Sequence, residues 1–365
     1  MSQLPVQPVT GPSSAPASSG ATPVEVDAVL LVSFGGPEGP DEVMPFLENV
    51  TRGRNIPRER LLEVAEHYQH FGGVSPINEQ CRRLREALEA ELRRRGLGLP
   101  VYWGNRNWRP MLADTMKRMK EDGVRGALAV MTSAFSSYSG CRQYREDVER
   151  AREAAGQGAP PCLKLRVFYN HPGFIEVMRE RVGEALAHWP EERRHLPRIL
   201  YTAHSVPSAM ARLCRYESQF HEAARLVSDA FPANPWELVY QSRSGPPQMP
   251  WLEPDVGDRI RALHAAGLRD LVLVPIGFVS DHMEVMYDLD TEARELCEEL
   301  GVKLARAGTV DTHPRFVAGL ADLVMERLAN EKAPGSSPRP ALGCHGPSHD
   351  VCPPDCCLPG ERRGR

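Results

Sequence analysis

Residues 271–278 read LVLVPIGF, an uninterrupted apolar run that ends in a turn containing proline and glycine. Such a run is typical of a strand in a parallel sheet that is covered on both faces. Longer amphipathic patterns, such as NEQCRRLREALEAELRRR at 78–95, predict helices between the apolar runs. The alternation predicts an α/β fold, and seven further runs predict strands at 28–34, 100–104, 127–133, 163–169, 198–203, 237–242 and 302–308.

The predicted strands fall into two groups of four, which indicates two α/β halves, each with a parallel four-stranded sheet flanked by helices. We place the N-terminal domain at 27–185 and the C-terminal domain at 186–330. Residues 1–26 are mostly Pro, Ser, Ala and Gly with little charge, so we expect a disordered extension. Residues 331–365 begin with the linker-like stretch EKAPGSSPRPALG and end in a cysteine-rich tail.

Composition and charge argue against several classes of protein. The 365 residues carry a formal net charge of −4, so no basic surface and no nucleic-acid partner are expected. No apolar run approaches the roughly 20 residues that a membrane helix needs, which predicts no transmembrane segment. The N-terminus lacks a basic segment followed by an apolar one, so no secretion signal is indicated. We therefore expect a cytoplasmic protein, and we expect it to be a monomer.

In open α/β sheets, ligands bind where the strands end, so the residues after each predicted strand are candidates for a site. After 28–34 the chain reads GGP, which permits either close approach to a ligand or a simple βα turn. Neither a G-x-G-x-x-G nor a Walker pattern follows a predicted strand, so nucleotide binding has no support. His204 follows 198–203, where an imidazole can accept a proton or ligate a metal, although a lone histidine is more often structural.

An acidic segment follows the strand at 271–278. If it begins a helix, Glu284, Asp288 and Glu292 lie at i, i+4 and i+8 and form a single row of carboxylates. Like charges at that spacing destabilise a helix, so the row calls for a compensating cation, and hard divalent ions prefer oxygen ligands. The alternative is a solvated acidic helix face.

Two loops contain residue types that are suited to a ligand pocket. Residues 67–79 read HYQHFGGVSPINE and precede a predicted helix, and residues 132–147 read TSAFSSYSGCRQYRED at the end of the third predicted strand. The second segment combines hydroxyl groups with aromatic rings. Such segments can line a pocket that offers both flat apolar faces and hydrogen-bond donors.

Four of the nine cysteines are concentrated near the C-terminus, at Cys344, Cys352, Cys356 and Cys357. Clustered thiols with intervening prolines suit a metal centre on a segment without regular structure. By spacing alone, zinc with cysteine and histidine ligands is as good an interpretation as an iron–sulfur cluster. A disordered tail with incidental cysteines is the third interpretation.

Several long motifs resemble those of the ferrochelatase family, and the resemblance is greatest to coproporphyrin III ferrochelatases of actinobacterial type. Together the motifs span about 28–320 and occur in the order of the family. They are LLVSFGGPEGPDEVMPFLENV, HYQHFGGVSPINEQ, YWGNRNWRP, TSAFSSYSGCRQYRED, YTAHSVP, YQSRSGPPQMPWLEPD and VPIGFVSDHMEVMYDLD. The resemblance implies a lyase with two Rossmann-like domains and a porphyrin cleft between them, which inserts Fe2+ into a tetrapyrrole and releases two protons.

The resemblance also assigns roles to individual residues. The histidine and the glutamate of the family fall on His204 and Glu284, which are expected to be catalytic and to bind the metal. His204 is the candidate for accepting the pyrrole protons. The row from Glu284 through Asp288 to Glu292 matches a path thought to deliver hydrated metal.

Other positions that the resemblance assigns concern the porphyrin. Its contacts are expected at Ser75 and Tyr144, and Arg52 lies where some relatives place a basic contact to a propionate. Some relatives have a tyrosine at the position of Phe34 that can ligate iron from the face opposite the histidine. Phenylalanine cannot ligate a metal, so that role is absent here or is taken by another group.

Many relatives hold a [2Fe-2S] cluster with one internal cysteine and three cysteines of the C-terminal tail. Cys141 occupies the internal position, and the tail offers four candidates for three places, Cys344, Cys352, Cys356 and Cys357. The tail spacing does not match one family pattern well. We expect one of the two adjacent cysteines to be spare.

The expected substrate is coproporphyrin III, which would give Fe-coproporphyrin III (coproheme) in the biosynthesis of haem b. Protoporphyrin IX is the alternative substrate, and two further functions are a cobalt or nickel chelatase acting on a sirohydrochlorin-like ring and a non-catalytic tetrapyrrole-binding protein. The pair His204 and Glu284 argues against a simple binder. The motifs GGVSPINEQ and SGPPQMPWLEP favour the iron enzyme over the cobalt enzyme.

Overall fold

The computed structural model describes residues 24–53, 56–245 and 248–360. The predicted disordered extension 1–26 lies outside the described residues except for its last three positions. Within the described residues, none of the helices is both long enough and apolar enough to cross a lipid bilayer.

Two parallel sheets of the same strand order form the centre of the described part of the protein. Their orders are β2-β1-β3-β4 and β6-β5-β7-β8, and neighbouring strands pair in parallel. The strands are β1 (Ala28–Ser33), β2 (Val101–Asn105), β3 (Ala127–Met131), β4 (Cys162–Lys164), β5 (Arg198–His204), β6 (Trp236–Gln241), β7 (Asp270–Val274) and β8 (Lys303–Arg306). The predicted fold class and the eight predicted strands are confirmed.

Helices connect the strands and cover the sheets on both faces, as parallel crossovers require. They are α1 (Val43–Val50), α2 (Arg58–His70), α3 (Ile77–Arg94), α4 (Leu112–Glu121), α5 (Gln143–Ala155), α6 (Pro172–Leu186), α7 (Ser208–Ala211), α8 (Tyr216–Ser228), α9 (Val256–Ala265), α10 (Met283–Val285), α11 (Ala293–Leu300) and α12 (Pro314–Lys332). Short 3-10 helices occupy Pro40–Glu42 and Glu191–Arg193, and π-helical segments occupy Tyr138–Arg142 and Met286–Glu292.

Several predicted strands are shorter in the structure than their apolar runs, and the sequence explains two of them. β7 ends at Val274 because Pro275 has no N–H group to continue the ladder. β4 has three residues instead of the seven predicted. The chain leaves the sheet after Lys164, and Arg166 turns inward, where its guanidinium makes a two-pronged ion pair with Glu326 at 2.7 and 3.0 Å.

One apolar core lies between the two sheets and includes residues of both. Leu31 of β1 and Val272 of β7 belong to the same cluster of buried side chains. α6 packs against β7 and β8, and α12 packs against α6 and α3, so helices from each end of the chain cover the other half. The domain boundaries at 185/186 and 330/331 remain predictions.

The segment after α12, predicted as a linker, is fastened to the body by buried polar groups. The Asn170 side chain donates hydrogen bonds to the carbonyl groups of Leu342 (3.2 Å) and Gly346 (2.9 Å), and the Leu342 amide donates to the Asn170 carbonyl at 2.8 Å. Arg166 also donates to the Pro340 carbonyl at 2.9 Å. These contacts carry the cysteine-rich tail back to the body.

Candidate active site and thiol cluster

The carboxyl edge of the second sheet brings together the polar residues at the ends of its strands. β5 ends at His204 and β6 ends at Gln241, and these two residues are register partners in the parallel ladder. The chain leaving β7 continues to α10, which carries Glu284. Because the strands run in parallel, all three residues lie at the same edge of the sheet.

His204 and Glu284 face each other at this edge. The imidazole Nε2 lies 3.6 Å from a Glu284 carboxylate oxygen, and the two side chains are 32% and 47% exposed. The ring is oriented by a short hydrogen bond from Nδ1 to the Ser205 carbonyl. The Tyr216 hydroxyl donates to the His204 carbonyl at 2.9 Å and fixes the backbone below the ring. The pair therefore presents a nitrogen and an oxygen ligand at a partly exposed position on this edge.

The pair is charged at neutral pH. Burial lowers the pKa of His204, but the Glu284 carboxylate outweighs it and raises that pKa to about 9. Burial likewise raises the pKa of Glu284, and the imidazolium opposite lowers it to about 2. A metal ion can take the place of the proton between an imidazole and a carboxylate that face one another. It then binds both groups.

His282 holds the turn that carries Glu284. Its Nδ1 accepts a hydrogen bond from the Glu284 amide at 3.2 Å, at the start of α10. Burial is the main reason why the pKa of His282 is lowered, so the ring is neutral and can accept. Sequence reasoning missed His282, although its position two residues before Glu284 was a usable signal.

Asp288 lies one turn beyond Glu284 and is oriented by the end of β6. Its carboxylate accepts a short hydrogen bond from the Ser242 hydroxyl and another from Gln241 Nε2 at 3.2 Å. Gln241 Nε2 also donates to the Glu284 carbonyl at 3.0 Å, so one amide bridges two members of the acidic row. Gln241 is 1% exposed, and sequence reasoning missed it because its role depends on this contact between two elements.

The acidic row follows a π-helix and not the regular helix that the spacing predicted. Residues 286–292 form the π-helix, Asp288 lies within it, and Glu292 ends it and is exposed. Burial raises the pKa of Asp288 to about 7, and the charges of Glu284 and Glu292 add to the increase. Burial also raises the pKa of Glu292, with contributions from Asp255 and Glu295. The Asp288 carboxylate therefore lies close enough to those of Glu284 and Glu292 to be affected by their charges.

Other acidic residues of the same segment are neutralised by an arginine. Arg306 pairs with Asp290 at 2.8 Å and with Asp281 at 3.1 Å. The hydrogen bonds to Asp288 come from neutral groups, the Ser242 hydroxyl and the Gln241 amide. Those contacts therefore do not neutralise the negative charge of the acidic row.

The carboxyl edge of the first sheet is apolar and closely packed. Phe34 follows β1, is 36% exposed and lies edge-on to Phe46 at 6.3 Å. Ser75 is 4% exposed and packs against Gly36, where an added Cβ atom would lie 2.6 Å from that of Ser75. The glycine pair is therefore required by the close approach of two loops.

The remaining predicted porphyrin contacts lie in different surroundings. Tyr144 is 6% exposed and is covered by the Arg106 guanidinium, which lies 4.3 Å from the ring centroid. Arg52 is exposed after α1, at the edge of a groove of about 530 Å³ that Trp108 and Arg109 also line. The structure therefore places Ser75 and Tyr144 within the wall of the N-terminal half and Arg52 at its surface.

α2 links the N-terminal half to the acidic segment. The His67 imidazole stacks on the Tyr287 ring, with centroids 3.6 Å apart and planes inclined by 9°. Burial raises the pKa of the neighbouring Tyr68, and the charge of Glu284 adds to it, so this phenol also lies near the catalytic candidates. α2 and the π-helix thus form adjoining parts of the cleft rim.

A second site lies where the tail meets the π-helix Tyr138–Arg142. The Arg142 guanidinium donates to the carbonyl groups of Pro354 (2.7 Å) and Cys356 (3.0 Å). The neighbouring Cys141 thiol interacts with the thiols of Cys352 and Cys357. The tail is therefore held at Cys141 by contacts of the protein itself.

The sulfur atoms of Cys356 and Cys357 are 3.5 Å apart, and Cys356 Sγ lies 3.6 Å from His349 Nε2. We name the set Cys141, His349, Cys352, Cys356 and Cys357 the thiol cluster. Contact with Cys141 lowers the pKa of Cys352 and raises that of Cys357, and the cysteines near His349 raise its pKa to about 9.

Cys344, also predicted as a candidate, lies elsewhere. Its amide donates to a Glu222 carboxylate oxygen at 2.8 Å, and its thiol contacts the same carboxylate. Both adjacent cysteines direct their sulfur atoms to the thiol cluster, but Cys356 and not Cys357 belongs to the group, with His349 and Cys352, whose donor atoms all lie within 4.8 Å of one another. Thiolates with an imidazole suit zinc or an iron–sulfur cluster.

Comparisons with known proteins agree with this geometry. A model of the ferrochelatase family matches residues 26–328. The chain is 58% identical to a ferrochelatase of Rhodopirellula baltica over 340 residues, which cover 92% of this chain and 95% of the relative. It is 52% identical to the coproporphyrin III ferrochelatase of Streptomyces coelicolor, with 91% and 93% covered, and 53% identical to that of Mycolicibacterium smegmatis, with 87% and 95% covered.

The fold is shared with a chelatase of known structure. SirB from Bacillus subtilis, solved with Fe3+, superposes with a TM-score of 0.50 at 13% identity, covering 84% of this chain and 96% of SirB. The structural match at this low identity supports the two-sheet architecture alone. The family match over most of the chain goes further: this protein belongs to the ferrochelatase family.

Proposed function

We propose that the protein is a coproporphyrin III ferrochelatase, a lyase that inserts Fe2+ into coproporphyrin III and releases two protons. The product is Fe-coproporphyrin III, an intermediate of haem biosynthesis. Family membership and relatives of about 50% identity with this activity support the assignment. The observation that carries it is the pairing of His204 and Glu284, 3.6 Å apart and partly exposed at the carboxyl edge of the second sheet.

The chemistry requires the metal to lose water and the porphyrin to lose two N–H protons. We assign the first ligands of the incoming Fe2+ to the Glu284 carboxylate and the His204 imidazole. The ion that Glu284 holds takes the place of the proton on His204 Nε2, and that proton passes to solvent. When the ion moves on to the porphyrin nitrogens, the freed Nε2 can accept a proton from a pyrrole nitrogen. His282 and Gln241 keep Glu284 in place through its backbone.

Asp288 and Glu292 are proposed to lead the hydrated ion to Glu284. Ser242 and Gln241 aim the Asp288 carboxylate, while Glu292 is exposed at the outer end of the row. Oxygen ligands spaced along one side of a helix can exchange with the water of a hard cation in steps. The π-helix therefore serves as the entry side for the metal.

The N-terminal half is proposed to hold the porphyrin. Phe34 offers an apolar face to the macrocycle, and its ring cannot ligate iron. Ser75 and Tyr144 support that wall from within, and Arg52 lies at the surface, where a propionate can be paired. Coproporphyrin carries propionates at two positions where protoporphyrin carries vinyl groups, so basic groups at the rim favour the former.

The assignment is tested by steady-state metal insertion with Fe2+, Co2+ and Zn2+ on coproporphyrin III, protoporphyrin IX and sirohydrochlorin. We expect the highest kcat/KM for Fe2+ with coproporphyrin III, and near-complete loss in His204→Ala. His195→Ala is the matched control because His195 is exposed in the turn before β5. A preference for protoporphyrin IX or for cobalt insertion into sirohydrochlorin, or tight porphyrin binding without turnover, would contradict the proposal.

We also propose a [2Fe-2S] cluster in the thiol cluster, held by Cys141 together with tail residues. The donor set fits, because Cys141, Cys352, Cys356 and Cys357 lie together and thiolates are the usual ligands of such clusters. When bound, it would tie the tail to the body, and no step at His204 or Glu284 needs electron transfer. Iron and acid-labile sulfide in about equal amounts are expected, whereas zinc without sulfide would contradict it.

A cytoplasmic location and a monomeric state belong to the same proposal. Free thiols so close together persist in a reducing compartment, since an oxidising one converts them to disulfides. Fractionation of cells and light scattering of the purified protein test these two points.

A further inference from the structure

The thiol cluster offers more donor atoms than one four-ligand centre can use. Four sulfur atoms and one imidazole nitrogen lie together, with neighbouring contacts from Cys141 to Cys352 and Cys357, between Cys356 and Cys357, and from Cys356 to His349. One donor must therefore remain outside the coordination sphere. The position of His349 determines whether the centre has four thiolate ligands or three thiolates and one imidazole.

Three donors already have the separations of ligands on one metal. The atoms offered by His349, Cys352 and Cys356 all lie within 4.8 Å of one another. In a tetrahedral site with bonds of about 2.3 Å to sulfur and about 2.0–2.1 Å to nitrogen, a sulfur and a nitrogen ligand lie roughly 3.5–3.6 Å apart. His349 Nε2 and Cys356 Sγ are 3.6 Å apart, as two ligands of one ion would be.

The backbone on both sides of His349 is fixed independently of any metal. Arg339 donates to the Ser348 carbonyl at 2.7 Å and pairs with Asp350 at 3.0 Å. Arg339 also pairs with Glu326, whose carboxylate is buried with Arg166. These contacts hold His349 in a preformed position, and a metal ligand that is already positioned loses less conformational entropy on binding. A solvated histidine would gain nothing from them.

We propose that His349 ligates the metal of the tail centre through Nε2, together with Cys352, Cys356 and Cys141, so that the centre has three thiolates and one imidazole. Cys357 is then the donor left outside. Its buried thiol lies 3.5 Å from Cys356 Sγ, close enough for a weak hydrogen bond to the ligand sulfur. The inference rests on the proposed metal centre and is independent of metal insertion at His204.

The test is spectroscopic and uses the full chain purified without oxygen. Iron, zinc and sulfide are measured first. If iron and sulfide are present, the dithionite-reduced cluster is examined by pulsed electron paramagnetic resonance in protein labelled with 15N-histidine. We expect the strong nitrogen coupling of a directly bonded imidazole. His349→Cys should remove the coupling and keep the iron and sulfide, because a thiolate replaces the imidazole.

Three further variants keep the inference falsifiable. His345→Asn is the matched control, because His345 is in the same tail but contacts the Tyr169 hydroxyl, and it should retain the coupling. Cys357→Ser should keep the cluster, whereas Cys356→Ser should lose it. An iron–sulfur cluster without nitrogen coupling, or one that Cys357→Ser abolishes, overturns the role of His349 and leaves the cluster proposal standing.

If zinc is present without sulfide, the [2Fe-2S] proposal fails, and X-ray absorption then decides the ligand. One nitrogen and three sulfur neighbours support the inference, and four sulfur neighbours overturn it. A protein that binds neither metal overturns the tail centre and with it the inference.

Discussion

The two sheets share one strand order, but their carboxyl edges carry different chemistry. The edge of the first sheet is built from Phe34, Gly36 and Ser75, which are apolar or closely packed. The edge of the second sheet carries His204 and Glu284, whose charges are set by each other. The same strand order thus supports a closely packed edge in the first sheet and a charged edge in the second.

The difference follows from how closely the loops of each edge approach. At the first edge a Cβ atom on Gly36 would meet Ser75, so two loops close on one another there, and the long side chain of Arg106 lies across the Phe34 and Tyr144 rings. At the second edge the turn after β7 leads into α10 and holds Glu284 outward, 47% exposed. Shape at the first edge and charge at the second can therefore be changed separately.

The largest effect is expected at the charged edge. His204→Ala or Glu284→Ala should lower the rate of metal insertion by about 10²–10⁴-fold, the usual contribution of a positioned acid–base group. Neither change removes core volume, so the melting temperature should fall only by the loss of the ion pair between the two side chains. Steady-state insertion and calorimetry measure both. A variant that keeps its rate would show that the pair is not catalytic.

Substitutions at the packed edge of the first sheet should change the stability of the protein. Gly36→Ala places a methyl group against Ser75 and should lower the free energy of unfolding by about 1–3 kcal/mol, the cost of overpacking. Gly39→Ala is the matched control, since a Cβ atom there has open space around it. Urea unfolding and porphyrin fluorescence titration check the result. Equal effects in both variants would contradict the close-approach explanation.

The electrostatic coupling between His204 and Glu284 can be measured without an activity assay. Glu284→Gln removes the carboxylate that raises the pKa of His204 most, so that pKa should fall from about 9, because only the Ser205 carbonyl and the charge of Asp288 then oppose the effect of burial. An NMR titration of the His204 ring measures the change. A pKa that stays near 9 would place the cause elsewhere.

The same pair sets a dependence of stability on pH. The raised pKa of His204 contributes stability that is complete below pH 6.5 and is lost as the pH rises through about 9. The lowered pKa of Glu284 contributes stability that is complete above pH 4.5 and is lost as the pH falls through about 2. Both contributions should disappear together in Glu284→Gln, which unfolding curves at several pH values would show.

The smallest effect is expected along the acidic row. Asp288→Ala and Glu292→Ala should raise the KM for Fe2+ by about tenfold or less, since each removes one oxygen ligand from a hydrated ion. The KM for porphyrin should stay the same, because neither residue belongs to the packed edge. Unchanged Fe2+ dependence in both variants would remove the delivery path.

Local sequence patterns predicted the strands of the two sheets well. The eight strands were visible because each is a short apolar run, and His204 and Glu284 stood out because they follow strands where ligands bind. The π-helix at Met286–Glu292 was not visible, because acidic spacing alone does not distinguish it from a regular helix. β4 is short because Arg166 pairs with Glu326, a partner that lies 160 residues away.

Long-range contacts also explain what the sequence could not predict at the sites. Gln241 acts through Asp288 and the Glu284 backbone, contacts that only the folded chain creates. The tail has no periodicity, and its anchor on Arg142 joins residues 212 and 214 positions apart. Cys344 resembles its neighbours in sequence, but Glu222 binds its amide and thereby separates it from them.

The apolar cluster shared by the two sheets has a consequence for motion. Each half has an apolar cluster of its own on the outer face of its sheet, but Leu31 of β1 and Val272 of β7 lie in one shared cluster, which α6 and α12 cover. Swinging the halves apart would expose that shared cluster to water, so the fold resists a hinge motion between them. The stack of His67 on Tyr287 also joins the two halves, but it is only half-buried and can part without opening the core.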